Sequence, residues 1–368
     1  MTDRLFLPPV IYGTTGIEMN LYFANVFTTV NPANYAFNFH APLGRCDRER
    51  WRCIPRQEDV GIHEAHLEVF DDSGLAASGE CRIVITPSET AANKKLRLLM
   101  IGDSLTDQGH FPVHFHTLCR RYGMDLTMLG TNVPEEFSKL PGQLIKYPDA
   151  GLLPGVRHEG WGGWSAATFL TRKEDSGSKY HWGRRSPFLD ADGVFDFRNY
   201  LEKYCGGIAP DIIMISLGSN DMLSIDTGNQ EQVIGNFVNN MELLYRNLHA
   251  AAPDAVYCIG IEPWGSNDQS AWGKNYGSHY FSWNRRSLTP GGYRQLMKHF
   301  QQFPNIYSVP LYSAIDPFYG YPTGEEKCFE ESDTDVVRGI NALHPNPAGY
   351  RQLANCTFAA LLSILQGV

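Results

Sequence analysis

Residues 96–107, which read LRLLMIGDSLTD, decide the fold that this chain is expected to adopt. The first six residues form an almost unbroken apolar run, which is typical of a strand buried on both faces of a sheet. Small residues follow at once. Gly102 and Asp103 come directly after the run, and Ser104 is the next residue. Because open α/β sheets bind ligands outside the carboxyl ends of their strands, this serine occupies a position suited to chemistry.

Similar apolar runs recur further along the chain, at residues 212–217 (IIMISL), 255–261 (AVYCIGI) and 306–311 (IYSVPL). Amphipathic segments lie between and after them, at residues 113–122, 231–251, 292–303 and 347–365. Strands that alternate with helices indicate a parallel sheet covered on both sides. We therefore predict an α/β domain over residues 91–368.

The first 90 residues have a different pattern. Short β-rich runs are separated by turn residues such as Asn31-Pro32, and no stretch keeps a helical period. This spacing is typical of a β-sandwich, so we predict a small all-β sandwich domain over residues 1–90. Residues 51–69 and the turn at Gly74 resemble the signatures of immunoglobulin-like accessory domains.

Charge and composition exclude several classes of protein. The chain has 368 residues and a net charge of −9 without a basic block, which disfavours a nucleic-acid partner. No apolar run approaches the roughly 18 residues that cross a bilayer, so we expect no membrane partner. The first residues lack the layout of a signal peptide; we expect a cytoplasmic protein, or an extracytoplasmic one if a signal peptide was removed. The eight scattered cysteines are expected to be reduced.

Three further segments carry residues that could take part in catalysis. They are the glycine-rich residues 160–165 (GWGGWS), residues 218–221 (GSND) after the second apolar run, and residues 344–347 (HPNP) at the start of the last helix. Together with Ser104 they supply a hydroxyl nucleophile, N–H and amide donors for an oxyanion, and an imidazole base. All of them are expected at the same edge of the parallel sheet.

In these four segments the sequence resembles the SGNH (GDSL) hydrolase superfamily, and the resemblance covers residues 96–365. It implies a three-layer α/β/α fold with a five-stranded parallel sheet, and ester cleavage through an acyl-enzyme. Ser104 matches the nucleophile and His344 matches the general base. The backbone N–H groups of Ser104 and Gly163 and the side chain of Asn220 match the oxyanion donors.

The last segment departs from the pattern of the family. The usual Asp-x-x-His reads Asn341-Ala-Leu-His344 here, so the residue expected to orient the imidazole is an amide. In a serine protease, an Asp→Asn change in this role costs about 10⁴ in rate. Three explanations stay open: Asn341 orients His344 through its side-chain oxygen, Asp333 or Asp335 takes the role, or catalysis is lost. The first is our prediction.

Aromatic residues suggest the substrate. Six of the seven tryptophans fall between residues 161 and 283, in long segments rich in Ser, Asn and Gly. Such loops can stack on sugars or simply pack on the scaffold. We predict substrate contacts for Trp161, Trp164 and Trp264, and a serine esterase that removes short acyl groups, acetyl above all, from a carbohydrate or similar polar alcohol. Alternatives are a catalytically degenerate carbohydrate-binding protein and a lysophospholipase or thioesterase.

Metal and cofactor motifs are incomplete. Residues 63–66 (HEAH) are one residue short of the zinc motif His-Glu-x-x-His, and the histidines at 110, 114 and 116 have no interleaved carboxylate. Neither a Walker A motif nor a Gly-x-Gly-x-x-Gly motif is present. We therefore predict no metal and no cofactor, and we leave the oligomeric state open.

Overall fold

The structure, a computed structural model, describes residues 4–134, 155–174 and 184–367. The first elements are β1 (Val10–Thr14), β2 (Met19–Tyr22), α1 (Phe23–Val26), β3 (Ala36–His40), β4 (Arg45–Cys46), β5 (Arg50–Cys53), β6 (Gly61–Asp71) and β7 (Gly74–Thr86). Then come β8 (Lys95–Gly102), α2 (Ser104–Asp107), α3 (His110–Arg121), β9 (Asp125–Leu129), β10 (Glu159–Gly160), α4 (Ala166–Thr171), α5 (Phe197–Cys205), β11 (Ile212–Ser216) and α6 (Gln230–His249). The last are β12 (Val256–Gly260), α7 (Gln269–Tyr276), α8 (Ser282–Phe300), β13 (Ile306–Val309), α9 (Leu311–Ala314), β14 (Thr323–Lys327), β15 (Asp335–Gly339) and α10 (Pro347–Gln366).

The central sheet is parallel throughout and has six strands in the order β10-β8-β11-β12-β13, with β9 also paired to β8. Every residue of β11 is buried, as its continuous apolar run predicts. This sheet and its intervening helices confirm the predicted SGNH-type α/β fold. The resemblance implied five strands, and the described residues form six; the additional strand is the two-residue β10, which pairs with the end of β8 beyond the stretch that β9 occupies.

The N-terminal region is mostly β, as predicted. It has a four-stranded sheet in the order β1-β7-β6-β3 and a three-stranded sheet in the order β2-β5-β4. The β1–β7 pair is parallel, and the other pairs in these two sheets are antiparallel. The rings of Phe39 in β3 and Trp51 in β5 lie 5.3 Å apart, so side chains of the two sheets pack against each other.

By the density of its internal contacts the chain divides into two units. The first comprises Met1–Ala91, Pro263–Pro290 and Pro310–Val368, and the second comprises Ala92–Glu262 and Gly291–Val309. The end of the first segment lies next to the predicted boundary at residue 90. The grouping of two later segments with the β region is a feature that the sequence analysis did not predict, and independent folding of residues 91–368 stays a prediction.

Within the first unit, buried polar contacts join segments that are distant in sequence. The guanidinium of Arg286 donates to the carbonyl oxygens of Gly265 and Ala24 and to Oδ1 of Asn25, at 2.8–2.9 Å. Desolvation lowers the pKa of Arg286 to about 10. The indole Nε1 of Trp264 donates to the Asn25 carbonyl at 2.8 Å. The helix α10 packs against β1 and β7.

In the described part of the chain, no helix is both long enough and apolar enough to cross a membrane.

Candidate active site

The turn that carries Ser104 begins where β8 ends. Asp103 caps α2, because its Oδ1 accepts the N–H of Leu105 at 2.9 Å. A Cβ at Gly102 would lie 2.1 Å from Oγ1 of Thr106, so this close approach requires glycine. Ser104 is partly exposed, whereas Asp103 and the other three residues of α2 are buried. Solvent therefore reaches the serine and little else on this turn.

The glycine-rich segment forms a tight turn in the second unit. The N–H of Trp164 donates to the carbonyl of Trp161 at 3.1 Å, and Gly163 has a φ of +76°. A left-handed residue at the third position is what a type II turn requires, and glycine adopts it without strain. Gly163 is exposed, and among the described residues its N–H has no acceptor. These features suit the predicted oxyanion donor, and that role of Gly163 stays a prediction.

Asn220 connects the turn that carries Ser104 (residues 103–107, the serine turn) with the turn at residues 161–164 (the glycine turn). Its Nδ2 donates to Oδ2 of Asp103 at 3.0 Å and to the carbonyl of Trp164 at 2.9 Å. These acceptors belong to the residue before Ser104 and the residue after Gly163, so the three predicted oxyanion donors lie close together. Both hydrogens of Nδ2 have protein acceptors here, so donation to a substrate requires sharing or exchanging one of these bonds. The oxyanion role of Asn220 stays a prediction.

The backbone around Asn220 is held by groups that the sequence analysis missed. The buried carboxylate of Glu262 accepts the N–H of Ser219 at 2.8 Å, and the hydroxyl of Tyr293 donates to the carbonyl of Leu217 at 2.8 Å. Asp221 accepts the N–H of Ala166, the first residue of α4, at 3.1 Å. A signal for Glu262 was present, because it follows directly after a fully apolar predicted strand.

His344 and Asn341 lie in the first unit. Oδ1 of Asn341 accepts the N–H of His344 at 2.9 Å and that of Leu343 at 3.1 Å, so its side chain closes the turn that carries the histidine. Desolvation lowers the pKa of His344 to about 4. The imidazole is therefore neutral at neutral pH, the form that a general base needs. The action of Asn341 on the ring itself stays a prediction.

The alternative carboxylates, Asp333 and Asp335, are exposed. Asp335 is the first residue of β15 and pairs with Lys327, and β15 runs from there to Gly339 before reaching Asn341. Four residue steps of strand place Asp335 about 13 Å from Gly339. Asn341, by contrast, bonds directly to the backbone N–H of His344.

Trp161, Trp164 and Trp264 are buried, each at most 2% exposed. The Trp161 indole donates to Oε2 of Glu159 at 2.9 Å, the Trp164 ring packs edge-on against Phe169, and the Trp264 ring lies 4.6 Å from that of Tyr312. Rings covered in this way cannot stack on a ligand, so the predicted substrate contacts of these three side chains lack structural support. Their contacts are those of packing, the alternative considered above. Trp182 lies outside the described residues.

The sequence model of GDSL-like lipases and acylhydrolases matches residues 98–357, a range that includes the serine turn, the glycine turn, Asn220 and His344. The chain belongs to this family. Membership supports esterase activity and a small-molecule ester as the substrate. No curated protein matches the chain.

Several solved structures resemble this GDSL-family protein at low identity. A family 3 carbohydrate esterase of Clostridium thermocellum is 17% identical, with 74% of this chain and 98% of that chain covered and a TM-score of 0.42. A carbohydrate esterase family 3 protein of Talaromyces cellulolyticus is 16% identical, with 74% and 99% covered and a TM-score of 0.41. A possible lipase of Chitinophaga pinensis is 12% identical, with 74% and 99% covered and a TM-score of 0.41. At these scores the likenesses bear on neither substrate nor mechanism.

Proposed function

We propose that this protein is a serine carboxylic-ester hydrolase in which Ser104 forms an acyl-enzyme. The observation that carries the proposal is the pair of hydrogen bonds from Asn220 to Asp103 and to the Trp164 carbonyl, which hold the serine turn beside the exposed N–H of Gly163. A nucleophile beside preorganised N–H donors is the arrangement that acyl transfer needs.

In the proposed reaction, Oγ of Ser104 attacks the ester carbonyl while His344 takes the hydroxyl proton. The N–H groups of Ser104 and Gly163 and the amide of Asn220 stabilise the oxyanion of the tetrahedral intermediate. His344 then gives its proton to the leaving alcohol, and water releases the acid by the same steps. Asn341 orients the ring without adding charge.

We further propose that the acyl group is short, acetyl above all, and that the alcohol is a carbohydrate or a similarly polar molecule. Support comes from exposed or half-buried residues in the described parts of the glycine-rich segment and of the segment after β11, among them Gly163, Ser165, Asn220 and Asp221. These groups are polar or lack a side chain. They offer hydrogen bonds to hydroxyl groups and little apolar surface to a long acyl chain.

A chain-length series tests this proposal. Initial rates on p-nitrophenyl esters from acetyl to palmitoyl, on acetylated sugars and on acyl thioesters are compared between the wild type and Ser104→Ala. We expect the highest kcat/KM for acetyl and no turnover by Ser104→Ala. Rates that rise with chain length would indicate a lipase or lysophospholipase, and a preference for thioesters a thioesterase. Sugar binding without turnover of any ester would indicate a degenerate binding protein.

A further inference from the structure

Asp107 is the last residue of the helical turn that Ser104 begins, and it is 1% exposed. Its Oδ2 accepts the N–H of Gly162 at 2.6 Å, and its Oδ1 accepts Nδ2 of Asn132 at 2.6 Å. The same Nδ2 donates to the carbonyl of Gly160 at 2.6 Å. Asp107 and Asn132 thus hold the glycine-rich segment at two of its backbone groups.

These bonds connect the nucleophile to the oxyanion donor. Ser104 and Asp107 are the two ends of one four-residue turn, which the bond from the Asp107 N–H to the Asp103 carbonyl closes at 3.0 Å. Gly162 directly precedes Gly163, so fixing the N–H of Gly162 also restricts the direction of the exposed N–H of Gly163. Hydrogen bonds to a carboxylate are about twice as strong as those between neutral groups.

Close packing removes the space in which the two turns could shift. A Cβ at Gly160 would lie 2.7 Å from Cβ of Thr106 and 2.8 Å from the backbone nitrogen of Asp107. The N–H of Trp161 donates to the carbonyl of Gly102 at 3.0 Å. The serine turn and the glycine turn are therefore in direct backbone contact, with Asp107 as the charged group between them.

We propose that Asp107 is a positioning residue, whose carboxylate sets the distance and direction of the Gly163 N–H relative to Ser104. The proposal rests on the acyl-enzyme function proposed above. Oxyanion donors act in the transition state, so the carboxylate affects kcat and leaves KM nearly unchanged. A carboxylate is needed because two donors face it, whereas an amide accepts with one of its two groups only.

The test compares Asp107→Asn with Glu159→Gln. Glu159 is equally buried and accepts hydrogen bonds from Thr131, Trp161 and Tyr200, but none from Gly162 or Gly163. Both variants replace one carboxylate oxygen with an NH2 group that faces hydrogen-bond donors, so both should lower the unfolding temperature. We expect only Asp107→Asn to lower kcat on p-nitrophenyl acetate, by about 10- to 100-fold, with KM within about twofold of the wild type. This loss of kcat is no larger than the loss caused by removing one oxyanion donor.

A second readout separates positioning from general damage. The rate at which a fluorophosphonate inactivates the enzyme depends on the oxyanion site and should fall by the same factor as kcat, while the final extent of labelling at Ser104 should not change. If Asp107→Asn does not fold, Asn132→Ala removes the amide that donates to Oδ1 of Asp107 and should lower kcat in the same direction by a smaller factor.

Three results would overturn the proposal: kcat within about threefold of the wild type in both Asp107→Asn and Asn132→Ala, a rise in KM without a fall in kcat, or an equal loss of kcat in Glu159→Gln. A wild-type protein that hydrolyses no ester and is not labelled at Ser104 would instead refute the proposed function. The two failures are therefore distinguishable.

Discussion

At the scale of single residues, carboxylates hold the backbone around the candidate nucleophile. Examples in the second unit are Asp103, which accepts the main-chain N–H of Leu105, Asp107 that of Gly162, Asp221 that of Ala166 and Glu262 that of Ser219. The first bond is local, as expected of a polar residue beside a turn. The bond from Gly162 to Asp107 spans 55 residues, so no local pattern could have predicted it.

Asn220→Ala tests the predicted oxyanion donor. The substitution removes the amide and also the bonds to Asp103 and the Trp164 carbonyl, so we expect kcat to fall by about 10²–10³ with the fold retained. Steady-state kinetics on p-nitrophenyl acetate and a thermal unfolding curve measure both effects. An unchanged kcat together with a lower unfolding temperature would show that Asn220 stabilises the fold but is not an oxyanion donor.

The pH profile tests His344 and Asn341. A base is active when it is unprotonated, so a folded-state pKa of about 4 predicts that kcat/KM falls only below about pH 4. Asn341→Asp retains acceptors for the N–H groups of Leu343 and His344 and adds a negative charge beside the histidine turn. That charge raises the pKa of the imidazole, so the fall of kcat/KM on the acid side of the profile (its acid limb) should begin at a higher pH.

The matched controls for this profile are Asp333→Ala and Asp335→Ala, which should leave both kcat/KM and its acid limb unchanged. A loss of more than about tenfold in either one would assign the orienting role to a displaced carboxylate. A wild-type limb near the ordinary histidine pKa of about 6.5 would contradict the desolvated environment of His344.

At the scale of elements, the four strands with a continuous apolar run could be predicted, whereas β9 and β10 could not. The apolar runs at 96–101, 212–217, 255–261 and 306–311 correspond to β8, β11, β12 and β13. The strand β9 has exposed Asp125 and Thr127 between buried residues and no continuous apolar run. The strand β10 has only two residues and is defined by its pairing with β8, so the sequence carries no local signal for it.

Gly218→Ala and Gly235→Ala form a matched pair for the turn after β11. Gly218 has a φ of +137°, and a Cβ there would lie 2.3 Å from the hydroxyl of Tyr293. Gly235 lies inside α6 with nothing within 4 Å of an added Cβ. We expect Gly218→Ala to destabilise the protein by more than about 1 kcal/mol and Gly235→Ala to stabilise it by about 0.5–1 kcal/mol. Denaturant unfolding curves of equal slope measure both changes, and similar values for the two variants would contradict the strained turn.

The sequence predicts the serine, glycine and asparagine segments, which the structure brings together, but it also predicts substrate contacts for three tryptophans that are buried. A short motif fixes where Ser104 stands relative to its strand, and that relation is local. Whether an indole faces solvent depends on neighbours that are distant in sequence, such as the contact between Trp264 and Asn25. Composition therefore indicated aromatic loops but not which rings are exposed.

At the scale of the whole molecule, the N-terminal β region shares a unit with the C-terminal part of the chain. The helix α10 packs on β1 and β7, and Asn25 bonds to Trp264, Arg286 and the carbonyl of Ile315. Contacts across 239 residues or more leave no trace in local periodicity, so the sequence predicts a boundary at residue 90 and does not reveal this grouping.

Deletion of residues 1–91 tests the grouping. The deletion uncovers one side of α10 and leaves the buried guanidinium of Arg286 without two of its three acceptors, at a cost of about 1–3 kcal/mol for each unsatisfied group. We expect no cooperative thermal transition and no esterase activity. As a control, cleavage of the full-length protein at the exposed residues 92–94 should leave two pieces that stay associated. A deletion variant that unfolds cooperatively at the wild-type temperature would show that residues 92–368 fold independently.

The most direct test of the central claim, that Ser104 is the nucleophile of an ester hydrolase, is covalent labelling with a fluorophosphonate, followed by peptide mapping. An activated hydroxyl beside oxyanion donors reacts far faster than other serines. We predict one label per chain, on the peptide that contains Ser104, with parallel loss of p-nitrophenyl acetate hydrolysis and no label on Ser104→Ala. Labelling of Ser104→Ala at the wild-type level, or full labelling of Ser104 with hydrolysis intact, would contradict the account.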